Sequence, residues 1–447
     1  MASATRWTYR LSLALLVVAA GISILWGIAL ERGKGVGVMG FPGIYFGTKC
    51  LTQGGDPYNP QQLQRVYEEA GFGDSSSSGA VRQAVTLYVN LPPTFLFVAP
   101  FTLMPLGVAQ TLWLTLLIGS FLLAAFLMWH IGHGHARSVA LLLTFVILAN
   151  CEILFSGGNT AGLVVSLSII SAWCFLNDRY IAPGILCMAV SLAIKPHDAG
   201  LIWLYFVLAG PTQRKRAVRA CILCLALVVA ATLWTSHIAP HWLPELRSNL
   251  ATISSHGGIN EPGPTSIGVS SPDMIIDLQT VVSLFVDDPA IYNPITYAIC
   301  SLIFLVWLLA VLRSSKPTHN AWLALVSASA LSMLVTYHRS YDARLLLLSI
   351  PACAMLWAEG GPLAWTALLL TFAGVVFTAD IPLAALMHLT HNLYAPNANL
   401  ANKAWAAALT RPAPLFLMAI AIFYLLVYIQ REKLSMHQAG SDARTER

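Results

Sequence analysis

The sequence predicts an all-α polytopic membrane protein, a bundle of about twelve transmembrane helices in one membrane domain covering residues 1–447. Composition points there first: 57% of the residues are hydrophobic and 10% are charged, against about 25% charged in a soluble domain. Mean hydropathy is +0.69. Apolar runs of spanning or near-spanning length recur along the whole chain, and Lys and Arg collect in alternate loops between them, as positive-inside insertion requires. That distribution accounts for the net charge of +5 without a nucleic-acid partner.

The runs at 11–30, 107–131, 137–155, 160–176, 180–194, 198–210, 217–236, 291–313, 320–337, 343–358, 362–386 and 411–430 read as spans. The first lacks a small-residue cleavage site and is expected to be retained as a helix. The pair 180–194 and 198–210 is short for a bilayer that needs about 20 residues per helix, so its break at Lys195-Pro196 is expected within the membrane thickness. Segment 93–105 is interrupted by Pro100 and Pro105 after Pro92-Pro93, and reads as re-entrant. With the N-terminus inside, Arg137, Arg179, Arg214-Lys215-Arg216, Arg219, Arg313, Lys316 and the tail 431–447 fall on the cytoplasmic side. Counting 93–105 as a full span would put the Arg214 cluster outside.

Three loops then lie outside: 31–106, containing the re-entrant segment, then 237–290 and 387–410. Residues 56–70 read as a turn followed by a short juxtamembrane helix, 74–79 as a flexible serine strip, and the Gly-, Pro- and Ser-rich 256–272 as a flap. Of eight cysteines only Cys50 falls in an aqueous loop, so no disulfide framework is expected; Cys221 and Cys224 form a C-x-x-C at lipid depth without His partners. No internal repeat of the kind that builds transporters stands out.

Polar residues concentrate in five outer-face signatures: 40–58, Tyr88 to Pro93, Ser156-Gly157-Gly158-Asn159, Lys195-Pro196-His197-Asp198 and His338-Arg339-Ser340-Tyr341-Asp342. Ionisable groups at membrane depth are costly and usually mark a working site. Lys195 suits a phosphate oxygen, although a snorkelling lysine in a Pro-kinked loop is the plainer reading. The His338–Asp342 loop suits a sugar or phosphate, although Asp342 also fits a helix cap. Glu152, one turn before Ser156, is the most isolated acid on a predicted span and a candidate general base. The G-x-G-x-x-G of Gly35 to Gly40 follows a membrane helix rather than a strand and carries no dinucleotide reading. His130, His133 and His135 cluster on the inner side, and no metal-site signature appears.

In order, these stretches resemble glycosyltransferase family 87, membrane-embedded mannosyltransferase-like proteins of the GT-C class, from about residue 40 to 345. The family's Asp-Phe pair, aromatic, Gly-x-Asp-Pro-Tyr turn, Tyr-x-Pro-Pro stretch, Gly-Gln-x-Asn loop, Lys-Pro break and His/Tyr-Asp loop are matched at Phe41, Tyr45, Gly54, Asp56-Pro57-Tyr58, Pro92-Pro93, Asn159, Lys195-Pro196 and Tyr341-Asp342. The resemblance implies a GT-C-like bundle in the cytoplasmic membrane that moves a mannose-like hexose, with inversion, from a polyprenyl-phosphate carrier to a lipid or glycan hydroxyl at the outer face. It implies Lys195, His197 and Arg339 at the donor phosphate, and Tyr45, Asn90, Asn159, His338, Tyr341 and Asp342 around sugar and acceptor. No cofactor or metal is implied, since Lys and Arg can neutralise a monophosphate leaving group. The family's catalytic aspartate falls on Gly40, which cannot take a proton; Asp56 and Glu152 lead the alternatives, ahead of Asp198 and Asp342. A degenerate binder of lipid-linked sugars is the second reading. A transporter is disfavoured by one-sided polar groups, because alternating access needs a midplane site.

Overall fold

The structure, a computed structural model, describes residues 2–33, 40–72, 85–264, 266, 274–314, 318, 320–390 and 400–445. Among them every regular element is helical, and the one β feature is an antiparallel bridge between Ile275 and Arg339. The serine strip 74–79, most of the G-x-G-x-x-G stretch, Lys316 and the distal half of the 256–272 segment lie outside the described residues.

Among the described residues six helices are long and apolar enough to cross a membrane: Trp7–Leu30, Leu106–His135, Pro211–Ile238, Pro289–Arg313, Ser340–Glu359 and Pro412–Leu434. Gly361–Phe377 and Asp380–Leu386 together make a further candidate, bent by 74°. The chain is thus a multi-pass helical membrane protein. Five other expected spans are helices of 12, 17, 14, 13 and 15 residues: Arg137–Leu148, Thr160–Leu176, Ile181–Ile194, Pro196–Leu208 and Ala321–Val335. At 1.5 Å per residue these cover roughly 18–26 Å, short of a hydrocarbon core of about 30 Å.

Burial separates the long helices from the short ones. Leu25 on the first helix is 70% exposed and Leu233 is 67% exposed, side chains that face lipid. Ala321–Val335, in contrast, is buried on nearly every residue, enclosed by Pro412–Thr445, Pro289–Arg313 and Pro196–Leu208. Thr160–Leu176 is similarly enclosed by Leu106–His135 and Ile181–Ile194. A helix apolar all round belongs in lipid or in a core; these two are core. Small residues allow the close approach, as where Ser327 Oγ donates to the Ala421 carbonyl at 2.8 Å.

The breaks have local causes. The expected span 137–155 stops at Leu148 and restarts at Glu152, because Asn150 Nδ2 turns back onto the Val146 carbonyl at 2.9 Å. The bend before Asp380 follows Thr378, whose hydroxyl bonds the Gly374 carbonyl at 2.8 Å. Segment 93–105 forms the short helix Pro93–Val98 and a 3-10 turn Ala99–Leu103, ending with Met104 extended before Pro105.

The loops expected at the outer face are built rather than slack. Helix Phe41–Thr52 packs Phe41 on Trp113, stacked at 5.1 Å. Asn59 caps the predicted juxtamembrane helix Pro60–Glu69 through Gln61 and Gln62 N–H groups, both at 3.2 Å. Helix Trp242–Ser254 of the second loop is tied to the first by Asn249, which donates to the Tyr58 and Tyr88 carbonyls at 2.9 and 3.1 Å. Residues 274–278 then run beside the His338 loop: Ile276 N–H donates to the His338 carbonyl, and Ser340 N–H to that of Met274.

Candidate functional site

Three backbone devices bring the polar signatures together. Asn159 caps Thr160–Leu176 by accepting from Ala161 N–H at 2.9 Å. Pro196 forces Lys195 out of the helical region, to φ −144 and ψ 78, and starts a new helix with Asp198 in its first turn, where a carboxylate suits the helix dipole. Asp342 Oδ2 accepts from Arg339 N–H at 2.8 Å and fixes the turn that opens the 3-10 helix Ser340–Leu348.

Lys195 Nζ sits between two fully buried carboxylates, 2.5 Å from Asp342 Oδ1 and 3.0 Å from Asp198 Oδ2. Its ammonium also lies 5.8 Å from the centre of the Tyr341 ring, and Asn159 Nδ2 reaches the Tyr341 hydroxyl at 3.5 Å. The other oxygen of Asp198 lies 2.8 Å from His338 Nε2, while His338 Nδ1 donates to the Thr336 carbonyl at 2.7 Å. A carbonyl only accepts, so Nδ1 carries a hydrogen; a carboxylate facing Nε2 then calls for a second proton in that contact. Lys195 and His338 together balance Asp198 and Asp342.

Burial and charge set the titration of the groups outside the spans. Burial opposes the charged form of Lys195, but Asp198 and Asp342 outweigh it and raise the ammonium. For His338 burial likewise works against protonation, and the Asp198 contact raises the imidazole overall. His197, edge-on to His338 with centroids 5.0 Å apart, is lowered to about 3 by burial and then by the Lys195 charge. It is neutral at physiological pH. Burial pushes the Asp277 carboxyl up to about 7, against the pull of His338 and the N–H groups of Thr280 and Gln279. The sequence reading missed Asp277; the available signal was the apolar run Met274 to Leu278 inside an otherwise polar loop.

Several expected site residues have partners of their own. Tyr45 donates to the Met104 carbonyl at 2.8 Å, and the Asn90 carbonyl accepts from Tyr58 at 2.8 Å, both within the aromatic cluster of the first loop. Asp56 accepts from Tyr58 N–H at 2.9 Å as a turn former and lies beside Glu245, whose carboxyl is raised by burial first and by Asp56 next. Glu152 is buried near the Arg344–Asp380 ion pair (2.7 Å) at the start of a separate helix, Glu152–Gly157. Arg339, expected at the phosphate, directs Nε to the Tyr337 hydroxyl and Nη2 to the Ile259 carbonyl and Asn260 Oδ1. It thereby holds down the near half of the 256–272 segment. Glu261 fastens the same stretch through Gly257 N–H and His256 Nδ1 at 2.7 and 2.8 Å.

Gly40 is closed to any side chain. Its φ is +77, and a Cβ there would lie 1.6 Å from the Gly157 carbonyl oxygen. The first and third signatures therefore meet backbone to backbone, and glycine at position 40 is a packing requirement of this fold. Comparison of the chain with protein-family models, curated proteins and solved structures finds no match.

Proposed function

We propose that the chain is a GT-C-type glycosyltransferase, similar to family 87, that moves a hexose from a polyprenyl-phosphate carrier to a lipid or glycan hydroxyl at the outer face of a cytoplasmic membrane. In this reading the twelve apolar segments are all crossings or half-crossings, and the Pro-rich hook at 93–105 is re-entrant. One observation carries the proposal: Lys195 and Asp342, 147 residues apart, meet at a helix break beside Asn159, Tyr341 and His338. A cation, two carboxylates, an amide and a phenol at one buried point suit a charged sugar phosphate better than an apolar ligand.

The base moves with the geometry. Asp56 and Glu152 hold turn and core positions, whereas Asp342 touches Lys195. A donor phosphate that draws Lys195 towards itself leaves Asp342 Oδ1 able to accept the acceptor proton, and the hydroxyl oxygen then attacks the anomeric carbon as the carrier phosphate leaves with the bonding electron pair. The test is hexose transfer from a synthetic polyprenyl-phosphate donor by purified protein. Asp342→Asn is expected to abolish turnover, and Asp56→Asn and Glu152→Gln to retain it. Turnover surviving Asp342→Asn overturns the assignment.

The sealed Gly40 favours a second reading, a catalytically silent binder of lipid-linked sugars. Saturable binding of the donor with no transfer by the wild type would select it.

A further inference from the structure

We propose that His197 Nε2, Asp198 Oδ1 and His338 Nε2 form a site for one divalent transition-metal ion of the zinc type, with a fourth position open. The three donor atoms lie within 4.8 Å of one another; His338 Nε2 and His197 Nε2 are 2.8 and 3.9 Å from Asp198 Oδ1. Tetrahedral zinc with bonds of about 2.0–2.1 Å places its ligands roughly 3.3 Å apart. The two separations from Asp198 bracket that value, and the third, between the two imidazoles, is no more than 4.8 Å, so side-chain adjustment at His197 would close the site.

Four further observations favour a metal. Asp198 and His338 side chains are fully buried, and among the described residues Asp198 Oδ1 and His338 Nε2 have no hydrogen-bond partner beyond their mutual 2.8 Å contact. The Nδ1 donation to the Thr336 carbonyl means that, once the Nε2 proton leaves, the Nε2 lone pair is the one offered to an ion, the outer support typical of metal-bound histidine. Lys195 engages the other Asp198 oxygen and so orients the carboxylate. His197, with its side chain 37% exposed, is the side from which an ion enters. Two imidazoles and one carboxylate select a borderline ion such as Zn²⁺ over Mg²⁺ or Ca²⁺, which prefer all-oxygen shells.

Binding is balanced by proton release: the ion takes the place of the proton between His338 and Asp198, and that proton leaves to solvent. The cluster then changes from neutral to net positive, the condition an anionic ligand needs. Only that consequence bears on the transfer reading; the metal site itself rests on donor geometry.

The experiment uses the full-length protein in detergent, stripped with a chelator and titrated with Zn²⁺ alone, with no sugar donor present. One Zn²⁺ per chain is expected by elemental analysis, with Co²⁺ giving the visible absorption of a tetrahedral site and Mg²⁺ failing to compete. His197→Gln, at a partly exposed position, is expected to fold normally and to weaken binding by more than about 100-fold, beyond what loss of a supporting partner costs. His338→Gln should do the same, and His130→Gln should leave binding unchanged. Absence of stoichiometric Zn²⁺ in the wild type, or unchanged affinity in His197→Gln, overturns the proposal. Should His338→Gln fail to fold, His197→Gln still decides it.

Discussion

Gly40 shows how a single residue can close one chemistry and fix a packing contact at once. Because a Cβ would meet the Gly157 oxygen at 1.6 Å and φ is +77, Gly40→Asp is expected to destabilise the protein by at least about 3 kcal/mol. Melting temperature in detergent checks this; a stable Gly40→Asp protein with new turnover would contradict it. Lys195 makes the complementary case. Lys195→Ala leaves Asp342 buried without its cation and Asp198 with His338 as the one remaining counter-charge among the described residues, a loss of about 3–5 kcal/mol. Donor binding should fall about tenfold to hundredfold, since a charge-assisted phosphate contact is worth about 1.5–3 kcal/mol. Lys403→Ala, at a lysine that reaches the Phe285 carbonyl, should change neither property comparably. Adding Asp342→Asn to Lys195→Ala should restore part of the stability, because the two groups are one coupled unit.

At the scale of elements, the first and second long loops are joined by Asn249 and by the Asp56–Glu245 contact. Asn249→Ala removes the donor from two buried carbonyls and should cost about 1–3 kcal/mol, read as faster amide exchange across 58–72. Glu245 adds a pH dependence whose sign is fixed. Its folded pKa is raised, so the folded protein holds a proton that the unfolded chain gives up. The stabilisation is present at low pH and lost as pH rises through the window just above the ordinary glutamate value. Glu245→Gln should remove that slope in melting temperature against pH. Elements of this kind were only half legible in the sequence. The capped helix Pro60–Glu69 and the Lys195-Pro196 break could be read because Asn-Pro and Lys-Pro carry their own backbone restrictions. The runs 137–155 and 320–337 came out as the shorter helices Arg137–Leu148 and Ala321–Val335, because periodicity cannot tell a lipid-facing helix from one enclosed by protein. Asp56, Arg339 and Asp277 could not be placed, since a turn former, a loop clamp and a site neighbour have the same local sequence and differ only in distant partners.

At the scale of the molecule, reporter fusions should place Arg214-Lys215-Arg216 on the cytoplasmic side and the 237–290 loop outside. A cytoplasmic signal from residues 256–264 would break the argument, because Arg339 holds that stretch against the Lys195 cluster's own loop. The ends expected on the cytoplasmic side have their own fastening, with Arg216 donating to the Phe175 carbonyl at 2.7 Å and Glu432 accepting from Asn320 at 2.9 Å. Neither contact involves the site loops, so substitutions there should affect assembly more than ligand binding.

The 147 residues between Lys195 and Asp342 also order events during synthesis. At roughly 5–20 residues per second, Lys195 is inserted about 7–30 s before its Asp342 partner exists. Throughout that interval Asp198, three residues away, is its nearest carboxylate, and the break at Pro196 gives both groups a route to water. Because it pairs distant segments, this cluster cannot be completed until residue 342 has been made. A nascent chain arrested before residue 342 would therefore hold an accessible lysine at a position that is nearly sealed in the finished protein.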